Sequence, residues 1–84
     1  MVTITPETRA ATFKWFADHA RECARAAQAG EFYVNDVPRY VEDCEAAAAR
    51  YERGEGGTSL AFQQRAIFIQ TGECHPLLPA TGVK

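Results

Sequence analysis

The two histidines and three cysteines of this sequence are side chains that could bind a metal or take part in nucleophilic catalysis. His19 and Cys23 are four residues apart, a spacing that places two side chains on one face of a helix. Cys74 and His75 are adjacent, and Cys44 is distant from both pairs. Thiolate and imidazole are the usual ligands of tetrahedral zinc, but no CxxC or HExxH spacing accompanies them here. We therefore predict no metal site and no other cofactor.

The same side chains also fail to form a recognisable catalytic motif. A cysteine nucleophile needs a neighbouring base and a group that orients the base. Cys74 and His75 are neighbours in sequence only, and no hydrolase signature surrounds them. The glycines of GEGG, residues 54–57, lack the preceding strand and the lysine of a phosphate-binding loop. We predict that the protein is not an enzyme.

Trp15 stands apart from the other large apolar residues of its segment, FKWFADHARECARAAQ, residues 13–28. On a helical wheel it lies roughly 140° from the centre of the main apolar stripe. It is either a core residue that contacts a third element or an exposed anchor for a partner or a second copy, because tryptophan is enriched at interface hot spots. The predicted partner-binding surface consists of Trp15 and the residues on its side of the helix: Ala11, His19, Glu22 and Ala26.

The most specific alternative is a helix-turn-helix that reads DNA. A glycine-containing turn precedes SLAFQQRA, which places Gln63, Gln64 and Arg65 early in a third helix. Glutamine and arginine are the side chains that read adenine and guanine edges. Three observations disfavour nucleic acid: the turn is longer than usual, the chain is mildly acidic, and basic residues do not gather around this segment.

Composition limits the class of protein. The chain has 84 residues, with 46% hydrophobic and 24% charged, which is ordinary for one small soluble domain. The net charge of −2 is not typical of proteins that bind nucleic acid, which carry an excess of basic residues. We find neither a signal peptide nor an apolar run long enough to span a membrane, and the cysteines are odd in number. These features predict reduced thiols and a cytoplasmic location.

Two segments carry the signals of amphipathic helices. The first has Thr5 as N-cap, Pro6 in the first turn and Gly30 after its end; the second runs from the N-cap Asp36 to Gly54. Alanines dominate both apolar faces, so we predict close antiparallel packing. The predicted core stripes are Phe13, Phe16, Ala17, Ala20, Cys23, Ala24 and Ala27 on the first helix, and Val37, Tyr40, Val41, Cys44, Ala47, Ala48 and Tyr51 on the second.

The third element begins at Thr58 or Ser59 and is ambiguous, because its apolar residues scatter around the helical wheel. We favour a short helix, and therefore an all-α bundle in a single domain, residues 1–84. The alternative is an α+β fold in which 31–35 and 66–70 pair as two short strands. The segment 73–84 contains two prolines and is predicted to be a C-terminal tail.

Taken together, these features predict a protein that works by binding another protein. The alanine- and arginine-rich composition suits a small bacterial, phage or mobile-element accessory protein. Such a protein would inhibit a host protein by steric binding, and self-association through the Trp15 face is a further option. The alternative function is a DNA-binding regulator that uses Gln63, Gln64 and Arg65.

Overall fold

The computed structural model describes residues 3–73, which contain three helices and no strand: α1 (Pro6–Gln28), α2 (Val37–Glu52) and α3 (Leu60–Thr71). The predicted all-α fold is confirmed. The alternative strand pairing is wrong, because residues 66–70 lie inside α3 and residues 31–35 lie in the loop between α1 and α2. The predicted tail, apart from Glu73, lies outside the described residues.

Each helix begins where its capping residue predicts. The side chains of Thr5, Asp36 and Ser59 each accept a hydrogen bond of 3.1 Å from the backbone N–H three residues further on. These bonds satisfy one of the unpaired N–H groups at each helix start. Gly30 and Gly54 follow α1 and α2 with φ of 77° and 78°, a left-handed conformation that glycine adopts without strain.

The first two helices pack antiparallel, as predicted. Phe16, in the middle of α1, contacts Tyr51 near the end of α2, with 5.2 Å between ring centroids. Cys23, further along α1, lies instead beside Tyr40 near the start of α2. Small side chains fill the seam between these contacts, which lets the helix axes approach closely. The alanines buried on the two helices are Ala17, Ala24, Ala26, Ala27 and Ala48.

The third helix packs on α1 alone. Phe62 is 1% exposed and lies 4.5 Å from the ring of Phe13 and 5.6 Å from that of Phe16. No Cα atom of α2 comes within 8 Å of one in α3. Gln70 Nε2 donates a hydrogen bond to the Thr3 carbonyl, and Gln70 Oε1 accepts one from the Thr5 N–H, so the far end of α3 is fastened to the segment before α1. Helix α1 is therefore central, with α2 and α3 on different sides of it.

Because α3 has only one neighbouring helix, part of its apolar surface faces solvent. Phe62, Ala66 and Ile67 are buried against α1, whereas Phe68 and Ile69 are exposed. A helix that is apolar on all sides normally has neighbours on all sides. The apolar residues that scatter around the helical wheel of this segment thus belong to a helix whose apolar surface is only partly covered by other helices. Within residues 3–73, no helix combines the length and apolar character that crossing a membrane requires.

Candidate binding groove

A groove of about 440 Å³ runs along the surface between α1 and α3. Helix α1 contributes three aromatic side chains to its wall, and α3 contributes four residues at positions i, i+3, i+4 and i+7. This spacing places the α3 residues on one face of the helix. The lining consists of Trp15, Phe16, His19, Ala61, Gln64, Arg65 and Phe68. We refer to it below as the Trp15 groove.

Trp15 is half-buried and held by contacts with three neighbours. The edge of Phe16 meets its ring at 5.1 Å between centroids, and the imidazole of His19 stacks on it at 4.8 Å with an interplanar angle of 12°. The guanidinium carbon of Arg65 lies 4.2 Å from the ring centroid. These contacts orient a side chain that is still accessible from the groove. Such preorganisation lowers the entropy lost when an interface forms.

Arg65 lies between two aromatic rings and has no acidic partner among residues 3–73. Its guanidinium carbon is 4.2 Å from the centroid of Trp15 and 5.1 Å from that of Phe68, distances typical of cation–π contacts. Stacking uses the faces of the guanidinium, whereas its N–H donors lie in the plane of the group. Among residues 3–73, no hydrogen bond or ion pair engages those donors. By contrast, Arg21 and Arg25 each contact two carboxylates.

The five residues of the predicted partner-binding surface do not share one environment. Trp15 and His19 line the groove. Ala11 and Glu22 are exposed but outside its lining, and the Glu22 carboxylate accepts hydrogen bonds of 3.0 Å from Arg25 Nε, which lower its pKa. Ala26 is only 8% exposed, because the chain turns back after α1 and Glu31 N–H donates to the Ala26 carbonyl. We therefore leave Ala26 out of the candidate surface.

The predicted DNA-contacting residues also separate. Gln64 and Arg65 are half-buried and line the groove against α1. They therefore do not project into solvent, as side chains that contact base edges in a DNA groove must. Gln63 is exposed, and its side-chain amide donates to the carbonyl of Thr58 at 3.4 Å. The sequence reasoning missed Phe68, although its spacing from Gln64 and Arg65 is the spacing of neighbours on one helix face.

The cysteines that the structure describes lie in the seam between α1 and α2. Cys23 and Cys44 are free and half-buried, and Cys23 Sγ is 3.6 Å from His19 Nε2. A hydrogen bond with the Cys44 side chain, followed by burial, raises the pKa of Tyr40 to about 12. Residues 3–73 contain no group of three His, Cys, Asp or Glu side chains placed to hold a metal ion. Cys74 and His75, the other candidate ligands, lie outside the described residues.

A second hollow, of about 570 Å³, lies between α1 and the end of α2. It is larger than the Trp15 groove, but its charged side chains pair with carboxylates or cations of the protein itself. Lys14 contacts Asp18 at 2.7 Å, and Glu52 accepts a hydrogen bond of 2.6 Å from Arg21. Because these charges are already paired, the hollow offers a ligand fewer available charged groups than the groove does.

Comparisons with known proteins give this chain no relative: no protein-family model, no curated protein and no solved structure matches it.

Proposed function

We propose that this protein is a non-enzymatic binding module that holds another protein in the Trp15 groove. The observation that supports this proposal most directly is the arrangement of Trp15, Arg65 and Phe68 around one open groove. Tryptophan and arginine are the residue types most enriched among interface hot spots. The groove is also concave and mainly aromatic, as sites that bury apolar side chains are.

Phe68 provides the clearest source of binding energy. Its side chain is 43% exposed, although it stacks beside Arg65 at the groove wall. Covering the exposed part of a phenylalanine side chain contributes about 1 kcal/mol. Trp15 and His19 add surface that is already ordered, so little further conformational entropy is lost on binding. The groove therefore favours a partner that presents apolar side chains.

The proposed mode of action is steric. The protein would cover a surface of its partner, as a small inhibitor encoded by a phage or mobile element does. Among residues 3–73 the groove lining contains no nucleophilic thiol or hydroxyl. Cys23, whose Sγ is 3.6 Å from His19 Nε2, lies outside that lining, and we therefore favour binding over catalysis. We propose a reducing cytoplasm as its setting, where Cys23 and Cys44 remain thiols.

The proposal is tested by capture with paired variants. Immobilised protein is exposed to lysate of the source cell or its host, and the retained proteins are quantified by mass spectrometry. Phe68→Ser removes an aromatic side chain of the groove, and Tyr33→Ser removes one that is 86% exposed in the loop between α1 and α2. We expect a specific partner on the wild type and on Tyr33→Ser, but not on Phe68→Ser. Equal retention by both variants would place the binding surface elsewhere.

The alternative function, DNA binding through Gln63, Gln64 and Arg65, makes a different prediction. Affinity for duplex DNA would fall steeply between about 50 and 200 mM salt, whereas an aromatic contact would not respond in this way. Arg65→Ala would weaken DNA binding. Fluorescence anisotropy with a labelled duplex at two salt concentrations distinguishes the two functions, and native mass spectrometry tests self-association through the Trp15 face.

A further inference from the structure

We infer that the occupant of the Trp15 groove is an amphipathic helix of a different protein, and that this helix carries an acidic side chain that pairs with Arg65. The inference rests on the proposed function, because it names the chemistry of the partner at the same groove. Three features carry it: the unused donors of Arg65, the absence of carboxylates from the groove lining, and the uncovered side of α3.

The first feature is the state of the Arg65 side chain. Trp15 and Phe68 hold its guanidinium by the faces, at 4.2 and 5.1 Å from the ring centroids. The in-plane N–H groups make no hydrogen bond within residues 3–73, although the residue is half-buried. A carboxylate accepts two parallel hydrogen bonds from such a fork, and binding there requires no loss of the stacking contacts.

The second feature is charge. None of the described residues that line the groove is acidic, and Arg65 is the only charged residue of α3. The groove therefore has a local positive charge in a chain whose net charge is −2. Complementary charge directs the choice of partner and its orientation. A partner helix that brings a carboxylate to this point fits the groove better than a neutral or basic one.

The same feature argues against a second copy of the chain. In a symmetric dimer whose two-fold axis passes through the groove, the groove would face itself, and two arginines would meet without an acidic residue of the lining between them. A second copy could offer the acidic side of α2, where Glu42 is exposed, but such a contact is head-to-tail and generates rings or open chains rather than a symmetric dimer. Nucleic acid is also a poorer fit, because one cation neutralises few phosphates and His19 and Arg65 already lie against the Trp15 ring.

The third feature is the shape of the uncovered surface. The α3 residues of the groove run from Ala61 to Phe68, which is about 10 Å, or two helical turns, at 1.5 Å per residue. Beside them, Leu60 and Ile69 expose further apolar area. A helix laid against α3 and α1 would complete the packing that α2 does not provide, by the helix-in-groove mode.

The probe for this inference is a phage-displayed library of helical peptides, about 16 residues long, randomised along one face. Peptides are selected on the wild-type full chain, and those that bind Phe68→Ser equally well are discarded. We expect the remaining peptides to share an aspartate or glutamate one turn from an apolar residue. Replacing that acid by its amide should weaken binding to the wild type about tenfold, because a hydrogen-bonded charge pair is lost.

Two arginine variants then locate the acidic contact. Arg65→Met keeps apolar volume beside Trp15 but removes the donors, so the acid and amide peptides should bind it with affinities within about twofold of each other. Arg9→Met is the matched control. Arg9 also lies over two rings, at 5.6 Å from Phe13 and 5.8 Å from Phe62, and has no acidic partner within the described part of the chain, but it is outside the groove. The tenfold difference should persist in that variant.

The outcomes separate this inference from the proposed function. Groove-dependent peptides that lack an acid, or an acid effect that persists in Arg65→Met, would overturn the inference and leave protein docking intact. A library that yields no groove-dependent peptide would also overturn it, since the helix-in-groove mode would have no support. Tight self-association of the wild type that blocks peptide binding would assign the groove to a second copy. The proposed function itself fails if the captured partner ignores Phe68→Ser or if a second copy of the chain occupies the groove.

Discussion

Replacing Trp15 by alanine measures how far this residue belongs to the core. The side chain is half-buried and contacts Phe16, His19 and Arg65 at 5.1, 4.8 and 4.2 Å. A fully buried tryptophan would cost about 3–5 kcal/mol on truncation. Here part of the ring already faces the groove, so less area is lost, while one cation–π and two aromatic contacts disappear. We expect the free energy of unfolding to fall by about 2 kcal/mol.

Urea unfolding, followed by circular dichroism at 222 nm because that signal reports the helices, gives this free energy. In a thermal scan the same loss lowers Tm by about 10 °C for a domain of this size. Trp15→Phe keeps an aromatic ring against Arg65 and should recover more than half of the loss. Tyr33→Ala removes a ring that is 86% exposed and should change stability by less than about 0.5 kcal/mol.

Two results would refute this reasoning about Trp15. A loss above about 3 kcal/mol would mean that the ring behaves as a core residue, and the groove would then offer a partner little tryptophan surface. A loss below about 0.5 kcal/mol would mean that the stack with His19 and Arg65 does not hold the ring in solution. In that case the preorganisation argument for the groove would fail, whatever the binding assays gave.

Three further substitutions test the packing, the capping and the charges of the fold. Phe62→Ala removes the ring that packs against Phe13 and Phe16, and it should lower the free energy of unfolding by about 3–5 kcal/mol. A loss below about 1 kcal/mol, measured by urea unfolding, would contradict the packing of α3 on α1. Ser59→Ala removes the N-cap of α3 and should cost about 1 kcal/mol, with faster amide exchange in the first turn; unchanged exchange would count against the cap. The pKa of Glu52 is lowered from 4.5, first by the hydrogen bond from Arg21, so its stabilisation is present above pH 4.5 and is lost as the pH falls through the folded pKa. Glu52→Gln should therefore lose less stability than the wild type when the pH is lowered from 7 to about 3, as measured by urea unfolding. If the free energies of unfolding of the two proteins changed equally with pH, the Glu52–Arg21 pair would not contribute to stability.

The parts of the fold that could be predicted from the sequence are those set by local chemistry. Capping side chains accept hydrogen bonds from N–H groups of the next turn, a strictly local interaction. The positions of Thr5 and Asp36 were therefore enough to predict where α1 and α2 begin. The apolar stripes of α1 and α2 likewise follow from a period of 3.6 residues. The third helix was ambiguous because its apolar residues scatter around the helical wheel, and periodicity cannot distinguish such a short segment from a buried strand.

The groove could not be predicted because it depends on which element covers the Trp15 side of α1. The wheel correctly placed Trp15 and His19 away from the main stripe, but it could not show that Arg65 and Phe68 would lie opposite them. It also grouped Ala26 with them, although the turn after α1 buries that residue. Side-chain direction follows from local geometry, whereas burial depends on tertiary neighbours.

The distribution of large side chains explains why the groove lies where it does. The seam between α1 and α2 is made mainly of alanines, which bring the axes together but bury little apolar area each. The clustered rings of Phe13, Phe16 and Phe62 instead hold α3 to α1. Since α3 has no other helical neighbour, Trp15 and Arg65 both stabilise α3 and form the groove wall. Substitutions there should change stability and binding together, so binding must be compared among variants whose folded fraction has been measured first.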